Sequence, residues 1–309
     1  MDYTGGSVKP EGLGDGLVWA EHHLQASFGT ATQSRGTVCE AGPQTRRIVF
    51  GNPITLPLTP GITRRQGDTM GDFSHGDGNR LRKPGIVVLV GSFFGAFIQG
   101  ALLFAAAGRL DLPRAWLFVA ISFVWMFGNG VALAIANPEL LNQRGAWKKK
   151  KDAKAWDRKL LPLYGLAGFY AIPIVAGLDV GRYHWSNLGL WATVSGTVLL
   201  SLGWALVTWA MLVNTHFETT VRIQTDRHHR VVTAGPYAIV RHPGYIGAGL
   251  WALGSPLIAG SAFGLIPAGL TVLLLILRTY LEDRTLRAEL SGYVEYAQQV
   301  RYRLLPGIW

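Results

Sequence analysis

Hydrophobic positions in this chain fall in long unbroken runs, not in the spaced stripe of an amphipathic helix. A helix that is apolar all round is buried in a core or faces lipid. Gly85 to Ala107, Arg114 to Ala136, Leu160 to Leu178 and Leu188 to Val213 are such runs. At about 1.5 Å per residue each is long enough for a hydrocarbon core of roughly 30 Å. The stretch from Tyr245 to Leu281 is too long for one crossing and is broken by Gly254, Pro256, Gly260 and Gly264. It reads as two helices folded back on each other, the first too short to cross fully. The pattern therefore predicts an all-α integral membrane protein with five to six transmembrane helices, the last two forming a helical hairpin.

Before Lys83 the pattern is different. Met1 to Arg82 is rich in Gly, Thr, Arg and Asp, shows no sustained apolar periodicity, and reads as a disordered N-terminal extension. It lacks the apolar centre of a secretory signal. Met70 offers an alternative start, which would make the residues before it an extension. "GLGDGL", Gly12 to Leu17, has the glycines of a phosphate loop but no strand ahead of it, so it reads as flexible tail. The chain divides into 1–82, the extension; 83–213, the first membrane helices; and 214–309, a motif-bearing region with the hairpin and a cytoplasmic tail.

Composition agrees: 49% of residues are hydrophobic and 16% charged, against roughly 25% charged in a soluble domain. A net charge of +10 on a soluble domain would suggest nucleic acid, but these cations lie between apolar runs, so no nucleic-acid partner is expected. Lys148, Lys149, Lys150, Lys151, Lys154, Arg158 and Lys159 crowd the connection between the second and third runs, and Arg222, Arg227, Arg230 and Arg241 that between the fourth and fifth. The connection between the first two runs holds only Arg109 and Arg114, and that between the third and fourth only Arg182. The positive-inside bias then puts the basic connections and both termini in the cytoplasm, with "KKKKDAK" against anionic headgroups. The single cysteine, Cys39, excludes an intrachain disulfide and a cysteine metal cluster. His228 and His229 beside Asp226 cannot both face one ion from a regular element, so no metal is expected. Trp116, Trp185, Trp191 and Trp251 read as interfacial anchors.

Candidate chemistry sits at the hairpin's two ends. "GPYAIVRHPGYIGAG", Gly235 to Gly249, has a turn at Gly235 and Pro236 and a helix start at Pro243. Gly244 and Gly247 would let another molecule approach the backbone, and Arg241 could grip a carboxylate or phosphate with two prongs. Glu282 and Asp283 end the last run, where a carboxylate pair needs cations or a ligand. The hairpin returns them to the membrane face of Arg241 and His242. Asn214, Arg222 and Gln224 precede the motif and are weaker candidates for orienting a substrate.

"NTHFETTVRIQTDRHHRVVTAGPYAIVRHPGYIGAGLWALGSPL" followed by "RTYLEDRTLRAELSGYVEYAQQVRYRLLPGIW" resembles the membrane methyltransferases of the isoprenylcysteine carboxyl methyltransferase family, relatives of the phospholipid methyltransferases. The resemblance covers Asn214 to Trp309, and "NPELLNQRGAWKKKKDAKAWDRKLLPL" extends it more weakly to Asn137. It implies S-adenosylmethionine enclosed at a cytoplasmic interface, with a lipophilic methyl acceptor arriving from the bilayer. Gly235, Tyr237, His242, Pro243, Tyr245, Gly247 and Glu282 would then shape the cofactor pocket, together with Arg241. Asp283 stands where the family usually has Glu, which leaves its contact with the cofactor open. Methyl transfer is an in-line displacement that needs alignment and exclusion of water. A carboxylate or thiolate acceptor needs no base; for an amine, His242 or Glu282, the two catalytic candidates, would take the proton. Sterol-type NADPH reductases are a rival, since they resemble this chain in an Arg-His-Pro-Asn-Tyr-x-Gly-Glu pattern. Here Gly244 replaces their Asn and Ala248 their acid. A non-catalytic membrane protein of the same fold is a third reading.

Overall fold

A computed structural model describes residues Arg80–Trp309; the expected disorder up to Asn79, "GLGDGL", Met70 and Cys39 lie outside the described residues. Helix α1 (Lys83–Ala107) is followed by α2 (Pro113–Ala136), the short α3 (Pro138–Gly145), α4 (Asp157–Gly165), α5 (Ile172–Gly177), α6 (Leu190–Val213), α7 (Pro243–Ala259), α8 (Leu265–Glu289) and α9 (Tyr293–Gln299). Among the described residues there is no strand. Five helical stretches are long and apolar enough to cross a membrane: α1, α2, the continuous Asp157–Tyr183 that contains α4 and α5, α6 and α8.

The third stretch runs beyond its apolar core because two carboxylates are built into it. Asp157 opens it and accepts hydrogen bonds from Arg278 on α8 at 2.7 and 3.2 Å and from the Val221 amide at 2.8 Å. Asp179, near its other end, accepts from the Ser186 amide at 2.8 Å, the Ser186 and Ser261 hydroxyls at 2.5 Å each, and the Phe263 amide at 3.2 Å. Buried carboxylates are tolerated when their lone pairs are filled in this way. The helix widens to π geometry at Leu166–Ala171, between them, and at Leu178–Tyr183, which holds Asp179. Pro173 has no N–H to give to the preceding turn, so the ladder is interrupted there.

The expected hairpin is α7 and α8, reversed through Gly260, whose φ of 85° is open to glycine at no steric cost. At 17 residues α7 is the short arm, about 26 Å at the helical rise. It packs on α6 through two glycine pairs seven residues apart. A Cβ on Gly203 would lie 2.5 Å from the Gly247 carbonyl oxygen and one on Gly247 2.5 Å from that of Gly203; Gly196 and Gly254 face each other likewise at 2.6 Å. Gly247, expected at the cofactor, is therefore taken up by helix packing. Gly244 makes room for the Phe217 ring and also lines the cavity between the helices.

The basic connections gather at one end of the bundle, tied by Arg82–Glu139 at 2.6 Å and Lys154–Glu289 at 2.7 Å. One core cluster, with Leu133, Leu140 and Met211, lies towards this end, and another, with Leu103, Phe118, Leu200 and Ile258, towards the Asp179 end. Trp116, Trp185 and Trp191 are exposed, as interfacial anchors are. Trp251 departs from that expectation: it lies well inside α7, half-buried, with its ring against Gly168.

Candidate functional site

A cavity of about 960 Å³ lies among α2, α6, α7, α8 and the connector after α6. One arm is polar and lined by Tyr237, His242, Tyr245, Glu282, Tyr293 and Tyr296; the other runs into the bundle past Met126, Leu133, Phe169, Val207 and Trp251. Arg144, Tyr164 and Arg278 also line it, and on α8 Arg278 stands between the lining residues Leu275 and Glu282. The hairpin thus brings His242 and Glu282, 40 positions apart in sequence, to the wall of one cavity.

The two adjacent carboxylates of α8 have different lives. Asp283 turns away from the cavity and is completely buried. It accepts from Arg241 Nε at 2.7 Å, Arg303 Nε at 2.9 Å, Arg287 Nε at 3.0 Å and the Tyr293 hydroxyl at 3.0 Å, with His242 Nε2 at 3.5 Å. Arg241 also donates from Nη1 to the Val300 and Arg301 carbonyls at 2.7 and 2.8 Å. The backbone amides of Arg241 and His242 pair with the Tyr302 and Arg303 carbonyls, both at 3.0 Å. The C-terminal segment is thereby stitched along the Arg-His motif. Arg241 and Asp283, expected to hold a cofactor, have their hydrogen bonds occupied by each other and by this segment.

Glu282, one position earlier, lines the cavity and accepts a short hydrogen bond from the Tyr245 hydroxyl. Among the described residues its other oxygen has no hydrogen-bond partner. The His242 ring lies parallel to Tyr245, 5.8 Å between centroids, and its Nε2 is 3.4 Å from the Tyr293 hydroxyl. Gly235 serves as a turn residue at φ 60°, Pro243 as the buried first residue of α7, and neither lines the cavity. Tyr237 does; its hydroxyl accepts from Asn214 Nδ2 at 3.1 Å, and burial raises its pKa.

The weaker candidates are also committed. Arg222 meets both oxygens of Glu218 at 2.8 and 3.0 Å, both of Asp226 at 2.7 and 3.2 Å, and Asp152 at 2.8 Å, which engages all its nitrogens. Gln224 donates to the His216 carbonyl at 2.7 Å and accepts from Arg227 at 2.9 Å. Asn214 positions Tyr237 and caps the His216 amide at 2.8 Å. All three line the cavity as framework. His229 is held neutral, its pKa lowered to about 4 by burial and then by the neighbouring His216, Arg222 and Arg227. No cluster able to hold a metal occurs among the described residues.

Arg144 behaves otherwise. Among the described residues its guanidinium makes a single hydrogen bond, from Nη1 to the Phe217 carbonyl at 3.0 Å, and lies 5.8 Å over the Phe217 ring. Burial, and then the charge of Arg278, lower its pKa to about 10, so it remains a cation at neutral pH. Arg278 is anchored by Asp157 and the Thr219 carbonyl at 2.8 Å and lies 5.5 Å over the Tyr245 ring.

A sequence profile described as phospholipid methyltransferase matches residues 191–290, which covers α6, the motif loop, α7 and α8. Protein-S-isoprenylcysteine O-methyltransferase B of Arabidopsis thaliana is 29% identical over 123 residues, 38% of this chain and 59% of that protein. Protein-S-isoprenylcysteine O-methyltransferase of Saccharomyces cerevisiae is 31% identical over 133 residues, 42% of this chain and 53% of that protein. The chain is thus similar to isoprenylcysteine carboxyl methyltransferase-like membrane proteins. The match to these two spans a little over half of their length. A longer alignment, 28% identical over 195 residues, covers 60% of this chain and 93% of a probable protein-S-isoprenylcysteine O-methyltransferase of Oryza sativa subsp. japonica.

The region matched by the profile holds His242, Glu282, Asp283 and Arg278, whereas Arg144 and Asp157 lie outside it. Those two were missed as site residues by the sequence reading. Arg144 stands four residues before a lysine run that masks it, and Asp157 looks like one more interfacial charge.

Proposed function

We propose that this chain is a membrane methyltransferase that moves a methyl group from S-adenosylmethionine to an anionic oxygen, a carboxylate, on a lipophilic acceptor. The observation that carries the acceptor class is the pair of guanidinium groups, Arg144 and Arg278, in the wall of the cavity, with Arg278 on α8 between Leu275 and Glu282. Arg278 is already paired with Asp157, so Arg144 carries the open positive charge there, which favours an anion and opposes a protonated amine. Arg144 has N–H donors left for a carboxylate, among the described residues.

The polar arm fits S-adenosylmethionine by its chemistry. Glu282 offers an oxygen for an ammonium group or ribose hydroxyls, and the rings of Tyr245, His242 and Tyr237 offer faces to a cation and a flat base. When bound, the cofactor supplies a sulfonium methyl open to in-line displacement. The chain's own work is to orient and to keep water out: the Arg241–Asp283 cluster fixes His242 and Tyr293, and Tyr245 fixes Glu282. A carboxylate acceptor loses no proton, so no side chain has to act as a base. The basic end of the bundle is the cytoplasmic one, by its lysines and arginines.

The test is transfer of a labelled methyl group by purified protein in detergent, to paired acceptors with the same alkyl chain ending in a carboxylate or an amine. Methyl ester formation is expected, and Arg144→Gln should lower kcat/KM for the carboxylate by about ten- to a hundredfold while S-adenosylmethionine binding is kept. Labelling of the amine alone, or binding of NADPH in place of S-adenosylmethionine, would overturn the reading.

A further inference from the structure

Arg278 and Glu282 stand one turn apart on α8, and both line the cavity. Opposite charges at that spacing on a helix are neighbours and ordinarily pair. One position along, Asp283 and Arg287 do so at 3.0 Å. Arg278 and Glu282 make no ion pair with each other among the described residues: the guanidinium is bonded to Asp157 and the Thr219 carbonyl, and the carboxylate to the Tyr245 hydroxyl. The cavity wall therefore carries a cation and an anion that their spacing would let neutralise each other, and they do not.

What keeps them apart comes from outside α8. Asp157, completely buried at the start of the third stretch, grips Arg278 side-on, Oδ1 with Nε at 2.7 Å and Oδ2 with Nη2 at 3.2 Å. A two-pronged contact fixes the plane of a guanidinium as well as its place. Nη2 also donates to the Thr219 carbonyl at 2.8 Å, and the Val221 amide steadies Asp157 at 2.8 Å, so the hold is built on the connector after α6. Tyr245 on α7 serves both charges at once: the guanidinium carbon lies over its ring, 5.5 Å from the centroid, while its hydroxyl donates to Glu282.

Charge balance alone does not explain Asp157. Glu282 is already one turn from Arg278 and could neutralise it, whereas burying a further carboxylate carries a desolvation cost that an ion pair need not repay. What the further carboxylate secures is separation. Glu282 keeps one oxygen, and Arg278 keeps Nη1, without a partner among the described residues.

We propose that Asp157 is a positioning residue that holds Arg278 off Glu282, so that the cavity presents a cation to one ligand and an anion to another. This role goes beyond the methyltransferase reading, since Asp157 does not itself line the cavity. It rests on that reading only for the identity of the two ligands, the acceptor carboxylate and the cofactor. Without Asp157, Arg278 would close on Glu282 and take the oxygen that the cofactor needs.

The test is the set of melting curves of the purified full chain in detergent, without ligand, for wild type, Glu282→Gln, Asp157→Asn and the double variant. In the wild-type background Glu282→Gln should leave Tm almost unchanged. In the Asp157→Asn background Glu282 has become the counter-ion of Arg278, and the same substitution should lower Tm by several further degrees. Equal shifts in the two backgrounds overturn this role. So does an Asp157→Asn protein that fails to fold where Asp157→Asn with Arg278→Gln folds, because the freed guanidinium has then found no partner in Glu282. If neither folds, Asp157 acts through something other than Arg278, and the role falls as well. S-Adenosylmethionine affinity, measured on the same samples by titration calorimetry, reports separately: Asp157→Asn should weaken it about tenfold, and Arg278→Gln added to it should restore it, which a loss of packing alone would not do. An affinity unchanged in Asp157→Asn, or not restored in the pair, overturns the role. No binding to folded wild type counts against the methyltransferase reading, and the melting curves still decide the role of Asp157.

Discussion

Arg241 and Arg144 belong to neighbouring regions of the same end of the bundle, and their hydrogen bonds are distributed in opposite ways. Around Arg241 the charges close on themselves: its nitrogens meet Asp283 and two carbonyls of the C-terminal segment, and Asp283 meets two further arginines and a tyrosine. Around Arg144 they stay open, with one carbonyl partner among the described residues and a cavity beside it. The closed region sets geometry, and the open one is left for a ligand. The same division separates Asp283 from Glu282, one residue apart.

Perturbing the closed region should have the largest effect. Asp283→Asn leaves the buried Arg241 guanidinium without its carboxylate and should lower stability by about 3 kcal/mol or more, read as a drop in Tm in detergent. S-Adenosylmethionine binding should fall with it. Glu282→Gln sharpens the contrast: Tm should move little, within about 0.5–1 kcal/mol, while cofactor affinity falls about ten- to a hundredfold for the loss of a charged hydrogen-bond acceptor. Equal Tm losses in these two variants would erase the distinction between the regions.

The smallest effect concerns pH at the rim. His229 has a folded pKa of about 4 against an ordinary 6.5, so the unfolded chain binds more protons between those values. Its contribution to stability is fully present above about pH 6.5 and fades as pH falls towards 4. His216, lowered by burial as well, acts in the same direction. His229→Gln should flatten that part of the Tm-against-pH curve, and an unchanged slope would refute the assignment.

The membrane helices and the hairpin were legible because their signals are local: unbroken apolar runs, and Gly254, Pro256, Gly260 and Gly264 as breaks. The convergence of the Arg-His motif with the acidic pair followed from the hairpin alone. Which of Glu282 and Asp283 faces the cavity was not legible, since helical rotation separates adjacent residues and the choice is fixed by the returning segment at 300–303. Gly247 misled because a glycine that admits a ligand and one that admits a neighbouring helix look alike in sequence. Trp251 departed from the anchor expectation because it lies deeper in its helix than an interfacial anchor should.

The central claim is that the cavity beside Glu282 is built for S-adenosylmethionine and that Asp283 only supports it. Its most direct test is the affinity of S-adenosylmethionine for purified wild type and Glu282→Gln by titration calorimetry in detergent. Saturable binding to wild type, weakened about tenfold or more in Glu282→Gln at unchanged Tm, is the predicted result. No binding to folded wild type, or equal affinity in the two, would contradict it.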